Sequence, residues 1–345
     1  MLRLKDIKIV CSKEELAAIP DGKVLINTIN AHSYNTAQKD ELFAESLTPS
    51  PGLTPDPSPK GEGNCVKYLI PDGASVVKAC RWLKAKSQPK ERIAGWDLFE
   101  LEMGKQEERG KRKEEGEHPT SIIHHSKVFL PEDGRDSAVP RDSLDESDSP
   151  LDLHESSWEP IHKPKVMLTE DGRASAAPRD SLDKSDSPLG LHEPSWEPIH
   201  KPKVMFMGSS EKVLGLIREK AKVAYPHLEV VTYSPPYKPE FTEEDNAAII
   251  KAINDANPDL LWIGMTAPKQ EKWAYSHWDE LDIHCHCGTI GAVFDFFAGT
   301  AKRAPKWWQE HSLEWLYRLI IEPKRMWRRY IIGNTLFIWN IWKEK

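Results

Sequence analysis

Short apolar runs alternate with helical stretches through the second half of the sequence, and this alternation is what most limits the fold. "KVMFMGSS" feeds "EKVLGLIREKAKVAY", "LEVVTYS" precedes "EEDNAAIIKAINDA", and "DLLWIGM" precedes a helix around "PKQEKWAYSHW", before "IHCHCGTIGAVFDFF". Near the start, "KVLINTIN" and "VKYLIPDG" are apolar runs that end in polar turns. Parallel strands need a crossover between them, usually a helix, so the pattern predicts an α/β fold: a Rossmann-like, doubly wound, mostly parallel sheet. Such sheets bind ligands at the C-terminal ends of their strands.

Two segments break the pattern. Lys127 to Pro164 recurs as Lys165 to Pro202 with 31 of 38 positions identical, and both copies are rich in Pro, Ser and Asp without apolar periodicity. Thr48 to Asn64, "TPSPGLTPDPSPKGEGN", has a similar character. Chains of this composition bury too little apolar surface to offset their ordering entropy, so both inserts are predicted to be disordered. The expected organisation is one α/β domain made of residues 1–103 and 203–300. Insert 48–64 and the repeat insert 104–202 interrupt it, and an appendage at 301–345 follows it.

Charge divides along the same lines. The chain carries a formal net charge of -7, yet residues 104–202 hold 22 acidic and 14 basic residues. The stretch from Ala301 to Lys345 has ten Lys/Arg against four Glu, and six of the 13 Trp. A basic, aromatic terminus on an acidic chain points to an anionic counterpart such as a membrane surface, a nucleic acid or a phosphorylated substrate. No run approaches the ~18 apolar residues of a spanning helix. "MLRLKDIKIVCSKEEL" has no signal-peptide core, and the five Cys show no disulfide framework. The expected location is cytoplasmic, peripheral on the inner face of the cell membrane.

Polar clusters at predicted strand ends supply the candidate chemistry. Thr28 and Asn30 follow the first strand and Asp72 the second. Ser209 lies in a "GSSEK" turn able to hold phosphate, Gln270 and Glu271 open a helix, and Asp295 and Arg303 lie in "GAVFDFFAGTAKRAP". In "HCHC" the strand alternation puts His284 and His286 on one face and Cys285 and Cys287 on the other, which cannot close around one metal ion. In "SLEWLYRLI", Leu313, Leu316, Tyr317 and Ile320 form a packing face at helical spacing. Arg325, Arg328 and Arg329 are neighbours on the next helix, with Trp327, Trp339 and Trp342 placed for a lipid boundary.

Taken together, "TIN", "IPDG", "ERIAG", "FMGSS", "AYP", "APKQEKW", "GAVFDFFAG", "KRAP" and "LEWLYRLIIEPKRMWRRY" resemble the WecG/TagA/CpsF glycosyltransferases. The resemblance implies an inverting transferase that moves a sugar such as N-acetylmannosamine from a UDP-sugar to a polyprenyl-diphosphate-linked sugar at the membrane surface, in surface polysaccharide synthesis. By this resemblance Asp72 is the general base, and Arg318, Arg325 and Arg328 hold a diphosphate. Thr28, Asn30, Ser209, Tyr237, Gln270, Asp295 and Arg303 complete the substrate-binding set. No metal or other cofactor is expected, and no nucleic acid partner. The chain departs from the family at "SPPYKPEF", where prolines precede Tyr237 and leave the donor sugar open.

Other readings make different demands. A dinucleotide oxidoreductase would want a Gly-x-Gly-x-x-Gly turn after the first strand, which "INTIN" lacks. A nucleic-acid-binding protein would use the tail but not the polar strand ends. An inactive relic of the transferase would keep the motifs without turnover.

Overall fold

The computed structural model describes residues 1–49, 65–115, 200–311 and 313–345. The two predicted inserts therefore lie almost wholly outside the described residues. In chain order the elements begin with α1 (Lys13–Ala17), β1 (Val24–Ile29), α2 (Ala31–Ala37), α3 (Glu41–Leu47), β2 (Val66–Pro71), α4 (Ala74–Leu83) and α5 (Gly95–Glu114). They continue with β3 (Lys203–Gly208), α6 (Glu211–Ala224), β4 (Glu229–Tyr233), α7 (Glu243–Ala256), β5 (Leu260–Gly264), α8 (Lys269–Ser276), β6 (His286–Thr289) and α9 (Gly291–Ala298). The appendage comprises α10 (Lys306–Glu310), α11 (Glu314–Ile321), α12 (Pro323–Trp327), a single π-helical turn (Arg328–Ile332) and α13 (Gly333–Glu344).

The six strands form one sheet in the order β2-β1-β6-β5-β3-β4, and every pairing is parallel. β5 shows why its sequence reads as an unbroken apolar run. Leu260 and Trp262 enter the layer beneath α5, α6 and α9, whereas Leu261 and Ile263 enter the opposite layer with Ile249 and Ile253 of α7 and Trp273 of α8. A strand covered on both faces has no polar alternation to display. Phe99 of α5 centres the first layer, its ring 5.7 Å from Trp262 and 5.0 Å from Phe297.

"HCHC" follows the same alternation. Cys285 and Cys287 sink into the α7–α8 layer, and His284 stays at the surface. His286 turns under α5, where its two ring nitrogens approach Glu102 Oε2 at 3.0 Å and the Pro20 carbonyl at 2.9 Å. Two acceptors require two N–H donors, so the ring is held as imidazolium. Burial opposes that charge, but Glu102 and the carbonyl outweigh it and raise the His286 pKa.

Two expectations are corrected here. The boundary after residue 103 falls inside α5, which continues to Glu114. Its last turns look like charged linker but are fixed by polar contacts. Gln106 Nε2 donates to the Asp259 carbonyl at 3.3 Å, and Glu107 accepts from the His227 amide at 3.2 Å. Gly110 passes so close to His227 that a Cβ would lie 2.4 Å from its carbonyl oxygen. The second correction concerns α11, which buries no residue; Ile320 is 61% exposed, so the packing face predicted there is only half-covered.

The last helix does pack. Phe337 and Ile341 of α13 join a core with Leu2, Leu4 and Tyr34, and the Phe337 ring meets Tyr34 edge-on at 5.3 Å. Where α5 ends, Glu114 pairs with Lys201 at 3.4 Å, and Lys201 leads into β3. The described residues that flank 116–199 therefore lie side by side. Replacing 116–199 with a short Gly/Ser linker is expected to leave stability unchanged in a urea titration. Removing 106–200 should cost about 2 kcal/mol or more, because it deletes the buried end of α5.

Candidate active site

The C-terminal ends of β1, β2 and β6 meet the N-termini of α2, α4, α5 and α9. The turn after β2 is pinned by two backbone bonds, Asp72 N–H to the Ile29 carbonyl at 2.9 Å and Ile93 N–H to the Pro71 carbonyl at 3.1 Å. Asp72 is thereby held beside β1, and the "ERIAG" segment is drawn over it. At the start of α5, Asp97 accepts from the Ala94 amide at 2.7 Å. Gly95 lies against Thr28, whose Cγ2 would be 3.7 Å from a Cβ there.

From the other end of the sequence, α11 closes this cluster. Arg92 Nη1 contacts Glu314 Oε2 at 3.0 Å, and Glu314 Oε1 lies 3.7 Å from Arg318. Asp72 feels all of them. Burial pushes its pKa up to about 6; Arg92 and Arg318 pull it down, while Glu314 and Asp97 push it up. A carboxylate poised near neutrality between guanidinium groups can accept a proton from a hydroxyl, while the arginines hold an anion.

The remaining sequence-predicted residues fall into distinct places. Asn30 caps α2, its Oδ1 accepting from the His32 and Ser33 amides at 3.0 and 3.1 Å, which leaves its Nδ2 for a ligand. Gln270 is buried, and its Oε1 accepts from Met265 N–H at 3.1 Å and Gly291 N–H at 3.2 Å, tying the turn after β5 to the turn after β6. Its Nε2 donates to Glu271 at 2.9 Å. Burial raises the Glu271 pKa to about 7, and Oε2 is enclosed without a hydrogen-bond partner among the described residues. Asp295 lies exposed on α9 and accepts from the Thr300 hydroxyl at 3.2 Å.

The arginines divide similarly. The Arg303 guanidinium lies 5.3 Å from the Trp96 ring centre, and that of Arg318 lies 4.8 Å from Phe296. Arg328 is exposed over Trp327 at 5.4 Å. Arg325 belongs to α12, and its side chain lies outside what is described. Ser209 takes a left-handed conformation (φ 59°) after β3, and its carbonyl accepts from Ser234 at 2.9 Å. Tyr237 is fully exposed after β4. β4 and β2 are opposite edges of the sheet, five strand spacings or about 24 Å apart. The structure therefore brings Asp72, Thr28, Asn30 and Arg318 together and leaves Tyr237 apart from them.

Sequence reasoning missed Arg92, Asp97 and Glu314. The signal was present, because Arg92 lies in "ERIAG" and Glu314 in "LEWLYRL", both of which carried the family resemblance.

Fold and site together define a doubly wound α/β protein with a carboxylate, Asp72, beside Arg92 and Arg318 at the carboxyl edge of its sheet. Residues 194–345 match the model of the Glycosyl transferase WecG/TagA/CpsF family. The chain is 33% identical over 124 residues to the N-acetylglucosaminyldiphosphoundecaprenol N-acetyl-beta-D-mannosaminyltransferase of Bacillus subtilis (strain 168), covering 36% of this chain and 46% of that protein. It is 27% identical over 139 residues to the protein of the same name from Staphylococcus aureus (strain NCTC 8325 / PS 47), covering 40% and 52%. The chain thus spans about half the length of the curated relatives it matches. Thr28, Asn30, Asp72 and Arg92 precede the family-matched segment. They join it in space through the pairing of β1 with β6 and through Arg92–Glu314.

Arg92→Met should raise the Asp72 pKa above about 6, because it removes the cation that most lowers it. A carbon NMR titration of the Asp72 carboxyl checks the direction.

Proposed function

We propose that this protein is an inverting glycosyltransferase that moves a sugar, N-acetylmannosamine or a related hexose, from a UDP-sugar to a polyprenyl-diphosphate-linked sugar. The observation that carries this reading is the Arg92–Glu314 contact at 3.0 Å. It holds the family-matched basic segment near Asp72, which supports a pairing of proton acceptor and anion holders. The names of the relatives, which describe transfer to a diphosphoundecaprenol-linked sugar, support the choice of acceptor.

In this reading Asp72 takes the proton of the acceptor hydroxyl as that oxygen bonds to the anomeric carbon. The bond from that carbon to the donor phosphate oxygen breaks on the opposite face, and UDP leaves with the electron pair. Thr28 and the free Nδ2 of Asn30 orient the sugars, which gains rate by fixing the reacting geometry. Arg92, Arg318 and the helix N-termini at the strand ends meet the charge on the diphosphate. Gln270 keeps the turns after β5 and β6 in register. Ser209, Asp295, Arg303, Arg325 and Arg328 remain candidate contacts for the rest of donor and acceptor, with Tyr237 reaching them only if its loop moves. No metal is assigned a step, so EDTA should leave turnover unchanged.

No helix among the described residues is long and apolar enough to cross a membrane. The appendage nevertheless exposes Trp327, Ile331, Ile332, Ile338, Trp339 and Trp342 alongside Arg328 and Lys343. Such a surface suits the headgroup boundary of an anionic bilayer, where aromatic rings settle and cations meet phosphates. A peripheral position on the inner membrane face follows as part of the proposal.

Two measurements test it. Asp72→Asn should retain UDP affinity by calorimetry while turnover falls by about 10²- to 10⁴-fold. The wild-type rate should itself fall below a pH of about 6, as Asp72 takes up its proton and ceases to be a base. Near-normal turnover in the Asn variant would remove Asp72 from the chemistry. Separately, Trp339→Glu with Arg328→Glu should abolish sedimentation with anionic vesicles and leave the circular dichroism unchanged.

A further inference from the structure

An open groove lies between the start of α5, the last turn of α6 and α9. Its walls are Trp96, Lys220, Val223, Ala224, Phe296 and Phe297, with Glu219 at one end, and it encloses about 530 Å³. That volume is within the range of small-molecule pockets. Glu219 is already paired with Lys222 at 2.8 Å, so the inner surface is apolar. Val223 is 85% exposed there, with its whole side chain presented to the groove mouth.

Cations stand over this apolar floor. Arg303 lies over Trp96 and Arg318 over Phe296, at 5.3 and 4.8 Å from the ring centres. The Lys220 ammonium reaches the C-terminal cap of α9, where a Cβ on Gly299 would lie 2.6 Å from Nζ. Phe296 therefore belongs to both regions: it lines the groove and supports the arginine whose charge acts on Asp72. The groove opens beside the proposed active site through that one side chain. Among its described lining residues the polar side-chain atoms are the Glu219 carboxylate, the Lys220 ammonium and the Trp96 indole N–H. No side-chain amide or hydroxyl among them is present to read a nucleobase.

We infer that this groove takes the first isoprene units of a prenyl-diphosphate substrate, with Lys220, Arg303 and Arg318 on the diphosphate. An open apolar groove with guanidinium groups over two of its aromatic rings is complementary to an amphiphile with an anionic head. Prenyl diphosphates have that construction, with the charge directly attached to the chain. The inference rests on the transferase reading for the identity of the acceptor, but the binding event is measurable without turnover.

The experiment is a calorimetric titration of the full-length protein with farnesyl diphosphate and, separately, with inorganic diphosphate. Val223→Gln is the variant, since Val223 is 85% exposed and Gln is a good helix former that brings a polar group into the groove without a negative charge beside Lys220. Wild type should bind farnesyl diphosphate at least about ten-fold tighter than inorganic diphosphate, because each methylene removed from water adds to affinity. The variant should lose about ten-fold for the farnesyl compound and keep its affinity for inorganic diphosphate. Equal farnesyl affinity in wild type and variant would overturn the proposal. So would an equal loss for both probes, which would show that the position acts on the diphosphate alone and that no isoprene chain lies against it. Stacking of the acceptor sugar on Trp96 predicts no preference for farnesyl over inorganic diphosphate, and that result also overturns it. Failure of the transferase reading shows elsewhere, as absent sugar transfer with the farnesyl preference intact.

Discussion

The contact between α13 and the start of the chain is the interaction on which the site depends. Phe337 and Ile341 enter the core formed by Leu2, Leu4 and Tyr34, and Glu344 accepts from the Lys5 amide and the Tyr34 hydroxyl, each at 2.6 Å. Asn35 adds a bond to the Gly333 carbonyl at 2.7 Å. These contacts anchor the far end of the appendage. Its near end is held by Glu314 on Arg92. Between them Met326 of α12 is buried and Arg318 packs over Phe296, so the basic segment is held near Asp72 although α11 has no buried face of its own.

The parallel sheet supplies the other half. All six strands run the same way, so every β-to-α turn lies along one edge and their polar residues converge there. Gln270 shows how such an edge is kept in order. One amide oxygen serves two backbone N–H groups from neighbouring turns, and a group with two partners in a low-dielectric setting is costly to displace. The same convergence raises the pKa of both Asp72 and Glu271, since each carboxyl is enclosed where helices meet strands.

Much of this was legible in the sequence. β5 and β3 read as buried strands because they are apolar throughout, and Pro323 marked the break before α12 because it can occupy only the first turn of a helix. The cluster of Thr28, Asn30 and Asp72 followed from strand ends in an α/β pattern. What stayed hidden was governed by polar contacts between distant residues. The end of α5 looked like insert because Gln106 and Glu107 are polar, and only Asp259 and His227 explain their burial. Arg92 carried no local signal beyond its motif, since its partner lies 222 positions away. The dual task of Asn30, cap and candidate ligand, was likewise invisible without the helix that it caps.

The meeting of Glu114 with Lys201 has a consequence for how such a chain can change. It lies at the beginning of β3, whereas the candidate site residues lie at the strands' C-terminal ends, a strand length of about 20 Å away. Because the flanking residues are already neighbours, added chain length at that point costs only a slowly growing loop-closure entropy. Selection on catalysis would scarcely register what happens there. The near-identity of the two 38-residue units within the segment fits a stretch that copied itself at a port where the fold tolerates growth.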